Sequence, residues 1–253
     1  MLVAERLQRI VDLVNERKSI RVSELSELCA VTEETIRRDL DKLEAEGKLA
    51  RTHGGAVSLA ETRTEVPYYE REIFRSEEKR RIAEEAVKLI RPKDRILLDA
   101  SSTAWYVARL IPDMPLTVLT NSIKVAIELS SKEKVQVIST GGILSAGSLS
   151  YVGPLAERAL EQYHVDRLFL SCKGARLDRG LSESNELQAL IKQRMIAASD
   201  EVVLLADHTK FEVQAFTHVA GWDRVARVVT DAGTSAADVA RLREMGIDVV
   251  QLS

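Results

Sequence analysis

The chain has 253 residues, of which 45% are apolar and 30% charged. That is enough for two ordinary hydrophobic cores and excludes a disordered or fibrous protein. The net charge of −3 excludes a broadly basic nucleic-acid coat, and two distant cysteines, Cys29 and Cys172, exclude a disulfide framework or a C-x-x-C zinc site.

Residues 2–17 read as a first helix, with Leu7, Ile10, Val11 and Val14 on one side. That charged amphipathic start is no signal peptide, and no apolar run approaches the roughly 20 residues of a membrane span. A cytoplasmic protein with reduced thiols, no cofactor and no metal is expected. Val22, Leu25 and Leu28 mark a second, short helix opened by Ser23, and the link Cys29-Ala30-Val31 has the length used between the helices of a helix-turn-helix.

Thr32 to Gly47 predicts the third helix. Ile36, Leu40 and Leu43 form one apolar stripe, Thr32 serves as N-cap and Gly47 as the stop. The opposite face carries Glu34, Arg38 and Lys42, flanked by Thr35 and Arg37. Glu33 with Arg37 and Glu34 with Arg38 would also suit any solvated helix as i,i+4 pairs. The neighbours favour a DNA-reading helix, because two short β-like runs around Gly54-Gly55 follow as a wing, with Arg51 and His53 placed for phosphate or the minor groove. Residues 1–66 hold 11 Lys and Arg against 13 Asp and Glu, a balance of −2, so attraction to DNA rests on local arrangement. Residues 1–59 are thus expected to be a winged helix-turn-helix domain.

Residues 60–75, polar around Pro67, read as a linker in which Tyr68, Tyr69 and Phe74 are contact residues. Ser76 then caps a helix to about Ile90, and residues 76–253 form a second domain. Short apolar runs at 96–98, 116–119, 135–138, 168–170, 202–206, 228–229 and 249–252 alternate with helical patterns, which predicts an α/β fold with a mostly parallel sheet. Ligands of such sheets bind outside the carboxyl ends of the strands. Ser101, Ser102 and Thr103 there can surround an anion at a helix start. Lys173 or Lys210 supplies positive charge, Asp99, Asn121 and Asp207 can bind sugar hydroxyls, and Gly141-Gly142 makes a turn. A phosphorylated polyol suits this set.

Leu25-Ser26-Glu27-Leu28, Thr35-Ile36-Arg37-Arg38-Asp39-Leu40 with Leu43 and Glu44, and His53-Gly54-Gly55-Ala56 resemble the DeoR family of bacterial transcriptional regulators. The resemblance extends over nearly the whole chain through Thr120-Asn121-Ser122, Gly141-Gly142, Val152-Gly153-Pro154, Gly180-Leu181 with Glu186, and Asp207 with Lys210. It implies a C-terminal domain similar to ribose-5-phosphate isomerase and glucosamine-6-phosphate deaminase, a double-stranded DNA operator and a sugar-phosphate effector as partners, and a carbohydrate operon repressor that works as a homodimer or homotetramer. The chain departs from the family pattern in two places: Asp99-Ala100-Ser101-Ser102-Thr103 stands for a common Asp-Ala-Gly-Thr-Thr, and Ser145 for a common Arg. The stretches 99–109, 169–174 and 184–185 resemble the branch that regulates L-fucose and L-rhamnose utilisation. That resemblance implies a ketose 1-phosphate, with L-rhamnulose or L-fuculose 1-phosphate first and fructose 1-phosphate second. The alternative is a sugar-phosphate isomerase or deaminase with a DNA-binding domain, using Asp99, Glu183 or Asp207 as base, although Ser171-Cys172-Lys173-Gly174-Ala175 lacks the carboxylates of the related isomerases.

Overall fold

A computed structural model of the chain describes residues 3–17, 19–45, 48–52, 54–57 and 66–253. They form two compact units, Met1–Glu65 and Val66–Ser253. In the first, α1 (Val3–Arg17), α2 (Val22–Cys29) and α3 (Glu33–Ala45) pack around Ile10, Val14, Leu25, Ile36, Leu40 and Leu43, all fully buried. Arg6 clasps the buried Asp39 through two hydrogen bonds, of 2.6 and 3.3 Å, and so ties α1 to α3. Asp39 therefore serves the fold, while its neighbours in the Arg37-Arg38-Asp39 run face out.

The wing has a strand the sequence pattern does not reveal. β1 (Ser19–Arg21) joins β2 (Ala50–Thr52) and β3 (Gly55–Val57) in the antiparallel order β1-β3-β2. Three residues are too few for alternation to show. The pairing explains Gly55, since a Cβ there would lie 2.0 Å from the Ile20 carbonyl oxygen. α2 begins at Val22 behind Arg21, with Ser23 inside its first turn, so the expected Ser23 cap is not used. The link between α2 and α3 is Ala30 to Thr32, one residue later than expected, with Ala30 in the left-handed region at φ 52°. The expected stop at Gly47 lies outside the described residues.

The second unit begins earlier than the sequence suggests. Of the expected linker 60–75, residues 66–75 belong to this unit, as Tyr68–Ile73 form a helix, α4, and Tyr68 is 1% exposed. Tyr69 and Phe74 remain exposed. α5 runs Ser76–Val87, with Arg75 rather than Ser76 in the cap position.

All seven expected strands are present, as β4 (Arg95–Leu98), β5 (Leu116–Thr120), β6 (Val135–Ser139), β9 (Val165–Leu170), β12 (Ser199–Leu205), β14 (Arg227–Thr230) and β15 (Asp248–Gln251). They form one parallel sheet in the order β15-β14-β12-β9-β4-β5-β6. α5, α6 (Ser102–Leu110) and α7 (Ile123–Leu129) supply the core on one face; α8 (Pro154–Leu160), α9 (Glu186–Ala197) and α10 (Ala236–Glu244) supply it on the other. Alternate β4 residues accordingly enter different cores, Ile96 and Leu98 one and Leu97 the other. The order reverses between β4 and β9, so the carboxyl ends of those two strands flank the topological switch point. A hairpin of β7 (Ile143–Ser145) and β8 (Ser150–Val152), and an antiparallel sheet of β10 (Gly174–Arg176), β11 (Gly180–Glu183) and β13 (Thr217–Ala220), complete the unit. These short strands are not evident in the sequence.

Candidate effector site and DNA-reading helix

On α3 the apolar stripe faces the core and leaves the opposite side to solvent. Thr32 Oγ1 accepts from the Thr35 amide at 3.3 Å and lies 2.9 Å from the Thr35 hydroxyl, which caps the helix as expected. Arg37 pairs with Glu33 at 2.6 Å and Arg38 with Glu34 at 3.3 Å; the Arg38 side chain is 79% exposed. Exposed pairs of this kind contribute about 0–1 kcal/mol, so exchanging them for DNA contacts costs little. Lys42 is exposed. Arg51 departs from its expected outward reach: its guanidinium pairs with Asp41 and its amide donates to Glu44 at 2.8 Å, so it fastens the wing to α3. His53 lies outside the described residues.

At the switch point the carboxylate of Asp99 is fully buried. It accepts from the amides of Ser101 and Ser171, each at 3.1 Å, and so bridges the ends of β4 and β9. Lys192, buried in the middle of α9, lies 3.3 Å from Asp99, pairs with Glu183 and donates to the Ser171 carbonyl at 2.7 Å. Burial opposes the Lys192 charge, but Glu183 and Asp99 overcome it and hold its pKa above the ordinary lysine value. Asp99, expected to bind sugar hydroxyls, thus has both oxygens engaged within the protein. Ser101, expected to surround an anion, accepts from the Ala104 amide at 3.0 Å through its hydroxyl and so caps α6. Ser102 donates to the Arg71 carbonyl at 3.2 Å, and Thr103 is buried in the first turn of α6.

The cations gather beside this crevice. Ala175 bridges to Phe211, which brings Lys173, on the loop leaving β9, near Lys210, on a short 3-10 turn after β12. Gly174 permits the approach, since a Cβ there would lie 2.2 Å from the Val213 carbonyl oxygen. Burial lowers the Lys173 pKa, and the charge of Lys210 lowers it further; Arg71 adds to the effect. Lys79 of α5, missed by sequence reasoning, is 4% exposed and donates to the carbonyls of Arg71 and Phe74. Burial, and then the charge of Lys210, push its pKa down to about 7. Asp207 balances this group. Burial raises its pKa, but Lys210, the Thr209 hydroxyl and Lys79 outweigh burial and leave it below the usual carboxylate range. Because Asp207 accepts from the Thr209 amide and hydroxyl, its sugar-binding role is also narrowed.

Asn121 Nδ2 donates to the Tyr151 carbonyl at 3.0 Å, while Oδ1 has no hydrogen-bond partner among the described residues. Gly141 and Gly142, at φ 61° and 118°, turn the chain from β6 into the β7–β8 hairpin. At the position where the family pattern has an Arg, Ser145 accepts from Ser148 at 2.7 Å in a serine cluster that also receives Gln188. Cys172 is pushed up to about 12 by burial and Cys29 is raised by the same cause, so neither has the thiolate character of a redox switch. A surface depression of about 400 Å³ lined by Ser199, Asp200, Asp223 and Arg224 lies at the amino end of β12, opposite the cation cluster.

With its pKa near 7, Lys79 is expected to make anion binding here depend on pH. Lys210 and Asp207 face it from the 3-10 turn, Arg71 from α4, and Glu78 from its own helix. An anion beside Lys210 favours the charged form of Lys79, so binding near pH 7 takes up a proton. A phosphate monoester is itself fully ionised well above its second pKa of about 6. Between pH 7.5 and 8.5 its affinity is therefore expected to fall, by at most about tenfold per pH unit for one linked proton. Calorimetry in buffers of different ionisation enthalpy measures the uptake, and Lys79→Met is expected to flatten the profile.

Sequence comparison places this geometry in a family. Residues 6–62 match the DeoR-like helix-turn-helix domain, and residues 75–232 match the DeoR C terminal sensor domain. The chain is 57% identical over 249 residues to the uncharacterized HTH-type transcriptional regulator YulB of Bacillus subtilis, covering 98% of this chain and 96% of that one. It is 39% identical over 226 residues to the L-fucose operon activator of Haemophilus influenzae, covering 89% and 91%. Among solved structures, a D-ribose-5-phosphate isomerase aligns at 15% identity with a TM-score of 0.41, covering 54% of each chain. Among the described residues no helix is long and apolar enough to cross a membrane. With both of its domains matched, the chain belongs to the DeoR family of DNA-binding transcriptional regulators.

Proposed function

We propose that this regulator represses a carbohydrate catabolic operon and is controlled by a ketose 1-phosphate, with L-rhamnulose or L-fuculose 1-phosphate ahead of fructose 1-phosphate. The observation that carries the reading is the gathering of like charges: Lys210 and Arg71 act on both Lys79 and Lys173 beside the carboxyl ends of the parallel strands. A folded protein has reason to hold cations together against their repulsion where an anion binds. The depressed pKa values of Lys79 and Lys173 keep the total charge modest, which suits one phosphate better than two. A relative whose name assigns it to the L-fucose operon supports the choice of sugar. The exposed apolar side chains Ile73, Ile127, Ile143, Leu144, Leu155 and Phe216 offer surface for a homodimer or homotetramer.

The enzyme alternative needs a carboxylate able to move a proton. Asp99 and Glu183 are both held by Lys192, and Asp207 by Thr209, so each carboxylate is engaged. Product formed from ribose 5-phosphate or glucosamine 6-phosphate would revive that alternative.

The deciding experiment is a fluorescence titration of the protein on its own upstream DNA, repeated with a panel of sugar phosphates. A 6-deoxyketose 1-phosphate is expected to release the DNA; tightening instead would reverse the direction of control. Tighter binding of an aldose 6-phosphate or a bisphosphate in calorimetry would overturn the effector assignment and leave the regulator reading standing. In the same assay Arg38→Ala is expected to weaken operator binding by about 1–3 kcal/mol with the circular dichroism melt unchanged, because its side chain is 79% exposed. Operator affinity equal to the parent's would show that α3 does not dock through this face.

A further inference from the structure

The backbone of α4 is fastened to the sensor unit at several points. The Tyr68 amide donates to the Gly147 carbonyl at 2.7 Å, the Ser102 hydroxyl and the Lys79 ammonium reach the Arg71 carbonyl, and the Tyr106 hydroxyl donates to the Glu72 carbonyl at 3.4 Å. Lys124 pairs with the Glu72 carboxylate at 3.1 Å and lies 5.5 Å from the centre of the Tyr68 ring. Amid these contacts the Tyr68 hydroxyl has no hydrogen-bond partner among the described residues, although the residue is 1% exposed. Native proteins seldom leave a buried hydroxyl uncompensated, and such exceptions call for a functional explanation.

The surroundings of this phenol supply one. Burial and the neighbouring Glu72 push the Tyr68 pKa above the ordinary tyrosine value, while Arg71 and Asp99 also act on it, so it stays a protonated donor beside the end of β4. On the adjacent strand end, three residues before Lys124, Asn121 holds another unpartnered atom, the acceptor Oδ1. A donor and an acceptor, both buried, match an alcohol that accepts from one and donates to the other.

We propose that Tyr68 is a specificity-determining residue, its hydroxyl donating to an alcohol of the effector's carbon chain while the phosphate lies on Lys173 and Lys210. This rests on the sugar-phosphate reading above. It also places a ligand contact on the first helix of the sensor unit in chain order, ahead of every strand end at which the sequence located the site.

Tyr68→Phe removes only the oxygen and tests the assignment on the full-length protein. Calorimetry would use L-fuculose 1-phosphate, fructose 1-phosphate and inorganic phosphate as probes, beside the thermal midpoint without ligand. The loss expected is about tenfold in sugar-phosphate affinity, the usual scale for one hydrogen bond, with inorganic phosphate unchanged. The ligand-free midpoint should equal or exceed the parent's, because an unpaired buried hydroxyl has been removed. Unchanged sugar-phosphate affinity overturns the assignment, and so does an equal loss for all probes with a lowered midpoint, which marks a structural tyrosine. A parent that binds inorganic phosphate but neither sugar phosphate refutes the ketose 1-phosphate reading and the Tyr68 contact with it. One that binds none of the three refutes the anion site at Lys173 and Lys210 as well.

Discussion

Lys192→Met is expected to destabilise the sensor unit by about 3–5 kcal/mol, the usual cost of removing one partner from a buried ion group. The ammonium is the common partner of Asp99 and Glu183 and also satisfies the Ser171 carbonyl. Its loss leaves two carboxylates facing one another beneath the ends of β4, β9 and β11. Asp99 would retain the amides of Ser101 and Ser171, but these are neutral donors and cannot replace a charge. Methionine fills similar volume, so the effect reports electrostatics more than a cavity. Urea unfolding followed by sensor-unit tryptophan fluorescence measures it, as Trp105 and Trp222 both lie in that unit. Adding Glu183→Gln and Asp99→Asn to Lys192→Met should recover much of the loss, since the replaced side chains no longer oppose one another. If Lys192→Met unfolds at the parent's urea midpoint, the triad does not hold the switch point.

Lys192 also marks where the sequence was hard to read. The seven sheet strands were legible because each carries an apolar run, which in the five inner strands is buried on both faces toward the carboxyl end, the pattern a parallel sheet imposes. The stripe of Ile36, Leu40 and Leu43 was legible for the corresponding helical reason. α9 gave no such signal, as Gln188 and Lys192 share the buried side with Ala189, Ile191, Met195 and Ile196. Each polar residue there has a partner distant in sequence: Gln188 donates to Ser148 and Ser150 over gaps of 40 and 38 residues, and Lys192 to Ser171 over 21. A buried lysine at i+4 from a buried glutamine, within an otherwise apolar face, is the one local hint.

The candidate site was legible at the strand ends but not in the roles of its residues. Asp99, Ser101 and Asp207 look like ligand groups from sequence, because short polar residues after a strand serve equally as ligands, caps and turn formers. The structure shows their main-chain work, with Asp99 holding two amides, Ser101 capping α6 and Asp207 closing the turn that carries Lys210. Lys79 and Arg71 were missed for a different reason, and Tyr68 was read only as a contact residue of the linker. They precede the first sheet strand, in a polar stretch that reads as linker and solvated helix, and only tertiary packing turns them toward the crevice.

Lys210→Ala is expected to leave operator affinity near the parent's and to weaken the effector response by roughly 10- to 100-fold in ligand concentration, as for loss of a charge-assisted contact of about 1.5–3 kcal/mol. Lys210 is suited to the role because its charge is felt by Lys79, Lys173 and Asp207 alike. The substitution should therefore change the neighbours as well as the contact. Without Lys210 the Asp207 carboxylate loses the strongest influence holding its pKa down, while Lys79 and Lys173 lose a repelling charge and ionise more readily. The proton uptake on ligand binding near pH 7 should then shrink, because a larger fraction of Lys79 is charged before the anion arrives. An effector shifts a DNA equilibrium only through its different affinity for the two states of the protein, and the same coupling must appear when DNA is titrated against ligand. Titrating Lys210→Ala on operator DNA with rising L-fuculose 1-phosphate reads the loss, and inorganic phosphate competition reads the anion contact alone. A wild-type response at unchanged ligand concentration would remove Lys210 from the site and leave Lys173 and Lys79 to hold the anion.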